Sequence, residues 1–333
     1  MDSAEFLPST EAIERLRKDL DAYEAQRPAM AKQNSIRLFT IMGGFAVLAL
    51  LVLVAGGRIW FDGDNVLATA LVFLAIFYGG RYLYSYARKP AMEMQESFRS
   101  GFFPLIFGFI DDLKHTRGEA PSSFAAMPEP VTDFYNKAEF DDCISGRFGD
   151  LEFELFELHL LNRRSRGGDN TVFTGVVLSF KLLQSFDGLL ICTRQPSGFS
   201  KLFRDLFGKG NLVVVKSGNA HLDQLYEFRS DNPDAANNLL GNRLSKALDF
   251  INETWSRDPV RLALREVRGY LLLPTLNGRD FFELPDISEQ VDYSRHIAPI
   301  IADMGKMLAL CRLVREATRN EPLPAESRKP KKA

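Results

Sequence analysis

LFTIMGGFAVLALLVLVAGG, residues 38–57, and VLATALVFLAIFYGG, residues 66–80, are two apolar stretches parted by a short polar turn. The first carries no charge, and at about 1.5 Å per helical residue its roughly 20 residues match the ~30 Å of a bilayer's hydrocarbon core. The second is shorter, but Arg81 can snorkel and Tyr82, Tyr84 and Tyr86 suit the headgroup level, which predicts a second span. Together they read as a helical hairpin over residues 38–87. A cleaved signal peptide would need a short basic region running straight into the apolar one, whereas residues 1–37 are mixed in charge. The competing reading, a core hairpin of a soluble protein, requires the rest of the chain to cover both stretches.

Positive charge gives the expected orientation. Arg27, Lys32 and Arg37 precede the first span, and Arg81, Arg88 and Lys89 follow the second, while the turn holds Arg58 beside Asp62 and Asp64. Both termini are therefore expected on the cytoplasmic side. With 41 basic and 43 acidic residues the chain is nearly neutral, which argues against nucleic acid as a partner. Three widely spaced cysteines, Cys143, Cys192 and Cys311, offer neither a zinc knuckle nor a CxxC pair and read as reduced thiols.

Ahead of the hairpin, Ile13, Leu16, Leu20 and Tyr23 recur at helical spacing, with Ser9 or Thr10 as cap and Pro28 as the expected stop. Behind it, Lys89-Pro90 is expected to break the helix. A phenylalanine-rich segment follows, read as core: Phe98, Phe102, Phe103, Phe107 and Phe109. Gly118 to Pro130 reads as linker.

From about Phe134 the period becomes two. Leu151, Phe153 and Leu155 alternate with glutamates, Phe156, Leu158 and Leu160 take the other parity, and a bulge near Phe156 would restore one apolar face. Val172 to Phe180 is a strand, and Asp187-Gly188 signals a hairpin into Leu189 to Cys192. Leu212 to Val215 pairs with Leu225 to Phe228. Asn232-Pro233-Asp234 opens a helix that Asp258-Pro259 closes. Strands resume at Val260 to Leu264 and Tyr270 to Leu273, with a turn at Asn277-Gly278. Asp286 to Arg319 is helical with a kink at Pro299, and the Pro-rich basic tail is expected to be disordered.

The predicted fold class is α+β. A two-helix transmembrane hairpin precedes a cytosolic domain with a mostly antiparallel sheet, one central helix and a long C-terminal helix. The expected divisions are residues 1–37 (cytosolic helix), 38–87 (hairpin), 88–130 (juxtamembrane helix and linker), 131–320 (α+β domain) and 321–333 (tail).

Asp141-Asp142-Cys143-Ile144-Ser145-Gly146-Arg147-Phe148-Gly149 gives an Asp-rich approach to a Gly-x-x-Gly element; Phe153 to Glu157 is an acidic aromatic strand, and Phe173-Thr174-Gly175 a Phe-x-Gly strand. These resemble the bacterial domain of unknown function 3137 family over most of residues 90–285. Phe156-Glu157 stands where that family usually has a Ser-Glu pair. The resemblance implies a bacterial inner (plasma) membrane protein with two spans, and it supplies no catalytic residue.

Motifs for chemistry are absent: no GxSxG elbow, GxxxxGK followed by Ser or Thr, HExxH or EF-hand loop occurs. Phe207-Gly208-Lys209-Gly210 lacks the hydroxyl residue of a phosphate loop, and Gly146-Arg147-Phe148-Gly149 reads as a tight turn rather than an RNA clamp. His115, His159, His221 and His296 have no metal-ligand spacing, and Glu152, Glu154 and Glu157 read as a strand's solvated face. Arg163-Arg164-Arg166 and Arg328-Lys329-Lys331-Lys332 could meet an anionic leaflet. No catalytic, cofactor-binding or metal residue is assigned and no cofactor is expected. The expected partners are the bilayer, through residues 38–87, and another protein or a second copy. The function expected is a protein-binding or scaffold module at the membrane; the alternative is a membrane-surface enzyme or transporter accessory acting on a lipid-derived substrate.

Overall fold

The computed structural model describes residues 8–57, 66–163, 168–195, 212–255, 258–275, 281–282 and 285–319. The chain is α+β and forms two compact units, Ser9–Ile106 with Leu284–Pro299, and Phe107–Glu283 with the residues from Ile300 onward.

In the first unit, α1 (Thr10–Ala55) starts at Ser9, whose hydroxyl accepts the Ala12 N–H at 3.2 Å, and runs unbroken through Pro28. Likewise α2 (Val66–Ile106) contains Pro90 and Pro104. Neither Pro28 nor Lys89-Pro90 stops its helix, contrary to the local expectation. An internal proline costs about 3 kcal/mol, and contacts between segments distant in sequence offset that cost here. Tyr23 stacks on Phe98 at 4.1 Å, Arg27 bridges Glu24 and the Ile287 carbonyl, and Arg88 meets Asp286 at 2.7 Å. Both helices are long and apolar enough to cross a membrane, and none of either apolar window is buried. Phe39 is 82% exposed and Leu67 77%, so the buried-core reading of the hairpin does not hold.

The second unit carries an open seven-stranded sheet, antiparallel at every pairing, in the order β1-β2-β3-β4-β6-β5 with β7 along β4. Its strands are β1 (Asp111–Arg117), β2 (Lys137–Phe148), β3 (Leu151–Asn162), β4 (Asn170–Arg194), β5 (Val213–Val215), β6 (Tyr226–Ser230) and β7 (Arg261–Pro274). A short helix α3 (Ala220–Leu225) precedes β6. The central helix α4 (Pro233–Leu239) continues through a π-helical turn into α5 (Ser245–Thr254). The last helix, α6 (Ala298–Ala317), follows a π-helical turn capped by Asp292, so helical structure begins at that residue rather than at Asp286. Pro299 stands two residues after that π-helical turn, and the helix runs on through it.

Both faces of the sheet are buried at its centre. One carries Phe156, Leu158, Leu160, Phe173, Val177 and Leu272, covered from the 118–135 segment by Met127 and Val131. The other carries Ile144, Leu155, Val176, Leu178, Leu271 and Leu273, all within 0–1% exposure. α6 contributes Met304, Leu308, Cys311 and Val314 to the core, and its Arg315 donates to the Lys181 carbonyl at 3.1 Å and meets Asp150 at 2.9 Å. Each such apolar side chain contributes on the order of 1.5–3 kcal/mol when fully buried.

Two local expectations change. β3 pairs with β4 without interruption around Phe156, because a two-faced core has no need to restore one apolar face. The bulge lies in β2, at Asp141-Asp142. Asp187-Gly188 makes no hairpin: β4 runs through it, bent where the Asp231 carboxylate accepts the Leu189 N–H at 2.6 Å. The Gly-x-x-Gly element does end in a tight turn, with Gly149 at φ +58 between β2 and β3. Asn277-Gly278 and residues 321–333 lie outside the described residues.

Candidate functional site

The β2 bulge is the first place where ionisable groups converge. Phe140 pairs with Leu158 and Cys143 with Phe156, which leaves Asp141 and Asp142 opposite Glu157. Oxygens of all three lie within 4.8 Å of one another. Asp142 is fully buried and Glu157 is 8% exposed. Like charges this close disfavour ionisation unless partnered, and the partners are present. His115 Nε2 lies 2.6 Å from Asp142 Oδ1, Arg117 Nε donates to Asp141 Oδ1 at 2.5 Å, and the Phe281 N–H donates to Glu157 Oε1 at 2.5 Å. These three carboxylates have the oxygen-rich character of a hard-cation site, but a cation or N–H already engages each.

The sequence assigned no site residue here, and it placed Glu157 on a solvated face. Glu157 is buried because it shares the parity of Leu151, Phe153 and Leu155. Glu154, on the opposite parity, is tied down by the N–H groups of Ser122 at 3.2 Å and Ser123 at 2.7 Å. A bulge in one strand opposite a glutamate in the next leaves no mark at any one position in the sequence.

The histidines do not share a site. His159 Nδ1 is 4.0 Å from Glu139, His221 Nδ1 is 3.0 Å from Asp249, and His296 Nδ1 accepts the Asp292 N–H at 2.9 Å. The three cysteines are buried and free. Burial pushes the Cys143 thiol up to about 12, with nearby Glu154 adding to the shift, and raises Cys192 and Cys311 as well, so none is a ready nucleophile.

Two clefts flank this region. In the first, the apolar rows of the sheet give way to two polar ones. Lys114, Ser145, Glu154, Ser179 and Tyr270 stand side by side across five strands; in the next row Arg147 faces Glu152 and Lys181 faces Arg268. All of these but the buried Tyr270 line a cleft of about 560 Å³. The second, about 550 Å³, is lined by His159, Thr174, Arg194, Asp258 and Arg261 among others. Arg261 is a structural clamp there: it donates to the carbonyls of Val131, Thr132 and Val172 and lies 5.4 Å from the Phe173 ring centroid. The His115–Asp142–Glu157 group lines neither cleft. Of the basic loop, Arg163 meets Asp169 at 3.5 Å; Arg164, Arg166 and the Phe207 to Gly210 segment lie outside the described residues.

No protein-family model and no curated protein matches the chain. A solved structure similar to it is the crystal structure of the mycobacterial trehalose monomycolate transport factor A, TtfA, at 7% identity and a TM-score of 0.33, covering 64% of this chain and 90% of that one.

Proposed function

We propose that this chain is an integral protein of a bacterial inner membrane, similar to the domain of unknown function 3137 family. In this reading an apolar hairpin anchors it and the α+β domain binds a partner at the cytoplasmic surface. The observation that carries the reading is that no residue of either apolar window is buried, an arrangement that suits a bilayer better than water. Orientation gains support from the meeting of the two basic clusters. Arg37 of α1, just before the first apolar stretch, lies 5.0 Å from the Tyr86 ring centroid of α2, just after the second, and donates to the Tyr86 carbonyl at 3.5 Å. Cationic and aromatic residues gathered at one end of two spans suit the cytoplasmic headgroup level.

Binding is favoured over catalysis by the state of the acid and base groups. Asp142 and Glu157 are buried and held by neighbours, and His115 is committed to Asp142. Crosslinking in intact membranes, followed by detergent extraction and purification, tests this reading. A discrete adduct with one other protein or a second copy is expected. A chain that alkaline carbonate strips from the membrane, or that crosslinks to nothing, contradicts it.

A further inference from the structure

We propose that the charged cleft on β1, β2, β3, β4 and β7 binds a phosphate-bearing anion, either a lipid headgroup or a soluble phosphate ester. This rests on the binding-module reading and names what one surface of the module takes. Lys114, Arg147, Lys181 and Arg268 come from four different strands to one concavity, so no local run of basic residues accounts for them. The carboxylates beside them are largely accounted for. Glu154 accepts the N–H groups of Ser122 and Ser123, Asp112 lies 3.5 Å from Arg147, and Glu152 stands opposite Arg147 in register.

With four cations against three carboxylates, the lining carries a net formal charge of +1, and both Asp112 and Asp111 lie beside Arg147 rather than beside the other three cations. Among the described residues Lys114 and Lys181 have no ion-pair partner, and Arg268 donates to the Ser179 hydroxyl at 3.3 Å and to no carboxylate. Like charges collected over a sheet floor repel one another, and an anion between them removes the repulsion. Ammonium and guanidinium donors beside the hydroxyls of Ser145 and Ser179 are the groups that recognise phosphate oxygens. A cleft of about 560 Å³ also has room for the glycerol or sugar that carries the phosphate. Its lining is too polar for an acyl chain.

The test uses the full chain in neutral detergent micelles, titrated with glycerol 3-phosphate and, separately, with phosphatidylglycerol added to the micelle. Saturable binding is expected, weakened about tenfold or more in the variant Lys181→Glu with Arg268→Glu and unchanged in Lys246→Glu on α5. Binding of both probes assigns the site to the phosphate itself, and binding of the lipid alone assigns it to a headgroup. If the double reversal unfolds, Lys114→Gln with Lys181→Gln replaces it, with the same weakening expected. Equal affinity in folded variant and wild type, or no saturable binding of either probe, overturns the proposal. Carbonate-resistant membrane retention would survive that result, so the anchor and the cleft fail separately.

Discussion

Phe45 in the first apolar span lies against the backbone of Gly80 in the second, so close that a Cβ added at Gly80 would sit 3.1 Å from the Phe45 Cε1. Gly79 offers the same ring a flat surface, at 3.5 Å from a notional Cβ. The spans therefore pack through a large side chain set on two adjacent glycines, the close approach that membrane helices use in place of hydrophobic burial. Gly80→Leu is expected to force the helices apart and destabilise the hairpin by about 1–3 kcal/mol, as overpacking does. Thermal unfolding in detergent reads this out, and Phe45→Ala in the same chain should recover part of the loss. A Gly80→Leu variant as stable as wild type would show that the spans do not pack here.

Gly175 is a second position with no room. A Cβ there would lie 2.2 Å from the Leu273 carbonyl oxygen and 2.9 Å from the Pro274 Cα, both backbone atoms of β7. Gly175→Ala should part β4 from β7 and cost more than about 3 kcal/mol, beyond ordinary overpacking. Gly168→Ala, with nothing within 4 Å, is the matched control and should change stability by less than about 0.5 kcal/mol. Denaturant midpoints of the two variants should differ widely; similar midpoints would contradict the pairing of β4 with β7.

His115 and Asp142 should behave as a coupled pair. With Asp142 fully buried and His115 Nε2 at 2.6 Å, His115→Leu leaves a buried carboxylate without its nearest donor, a loss of about 3–5 kcal/mol. Adding Asp142→Leu removes that charge and its repulsion with Glu157, so the double variant should be less destabilised than His115→Leu alone. A double-mutant cycle measures the coupling, and strictly additive effects would count against the pair.

The Cys143 thiol gives a pH signature. Burial raises it from 9.0 in the unfolded chain to about 12 in the fold. Its contribution to stability is thus fully present below pH 9 and is lost as pH climbs from 9 towards 12. The melting temperature should fall over that window, and Cys143→Ala should make the fall shallower. In the native chain at pH 8, all three thiols should resist iodoacetamide and react once it is unfolded; rapid native labelling would place a thiol at the surface.

What the sequence reveals about this molecule follows the range of the forces involved. The apolar hairpin, the central helix and the antiparallel strands are legible because hydropathy and period act over a few residues. Helix ends at Pro28 and Pro90 misread because Tyr23 meets Phe98, and Arg27 meets the Ile287 carbonyl, across long separations. Asp187-Gly188 carries a turn's chemistry, yet Asp231 holds it inside a strand. The Asp141-Asp142-Glu157 group appears only once a bulge sets β2 against β3, and the cleft only once four strands align Lys114, Arg147, Lys181 and Arg268. Small-residue packing on the second span is visible in Gly79, but the ring that fills it is in the other helix.

If the hairpin spans a membrane, both ends of the chain lie on one side of it. A membrane-impermeant maleimide applied to intact spheroplasts, with one cysteine introduced at a time, measures this directly, since the native thiols are buried. Gly63→Cys in the turn should label before the membrane is opened, and Ser327→Cys in the tail only afterwards. Labelling of Ser327→Cys but not Gly63→Cys in intact spheroplasts would contradict this topology, as would labelling of both.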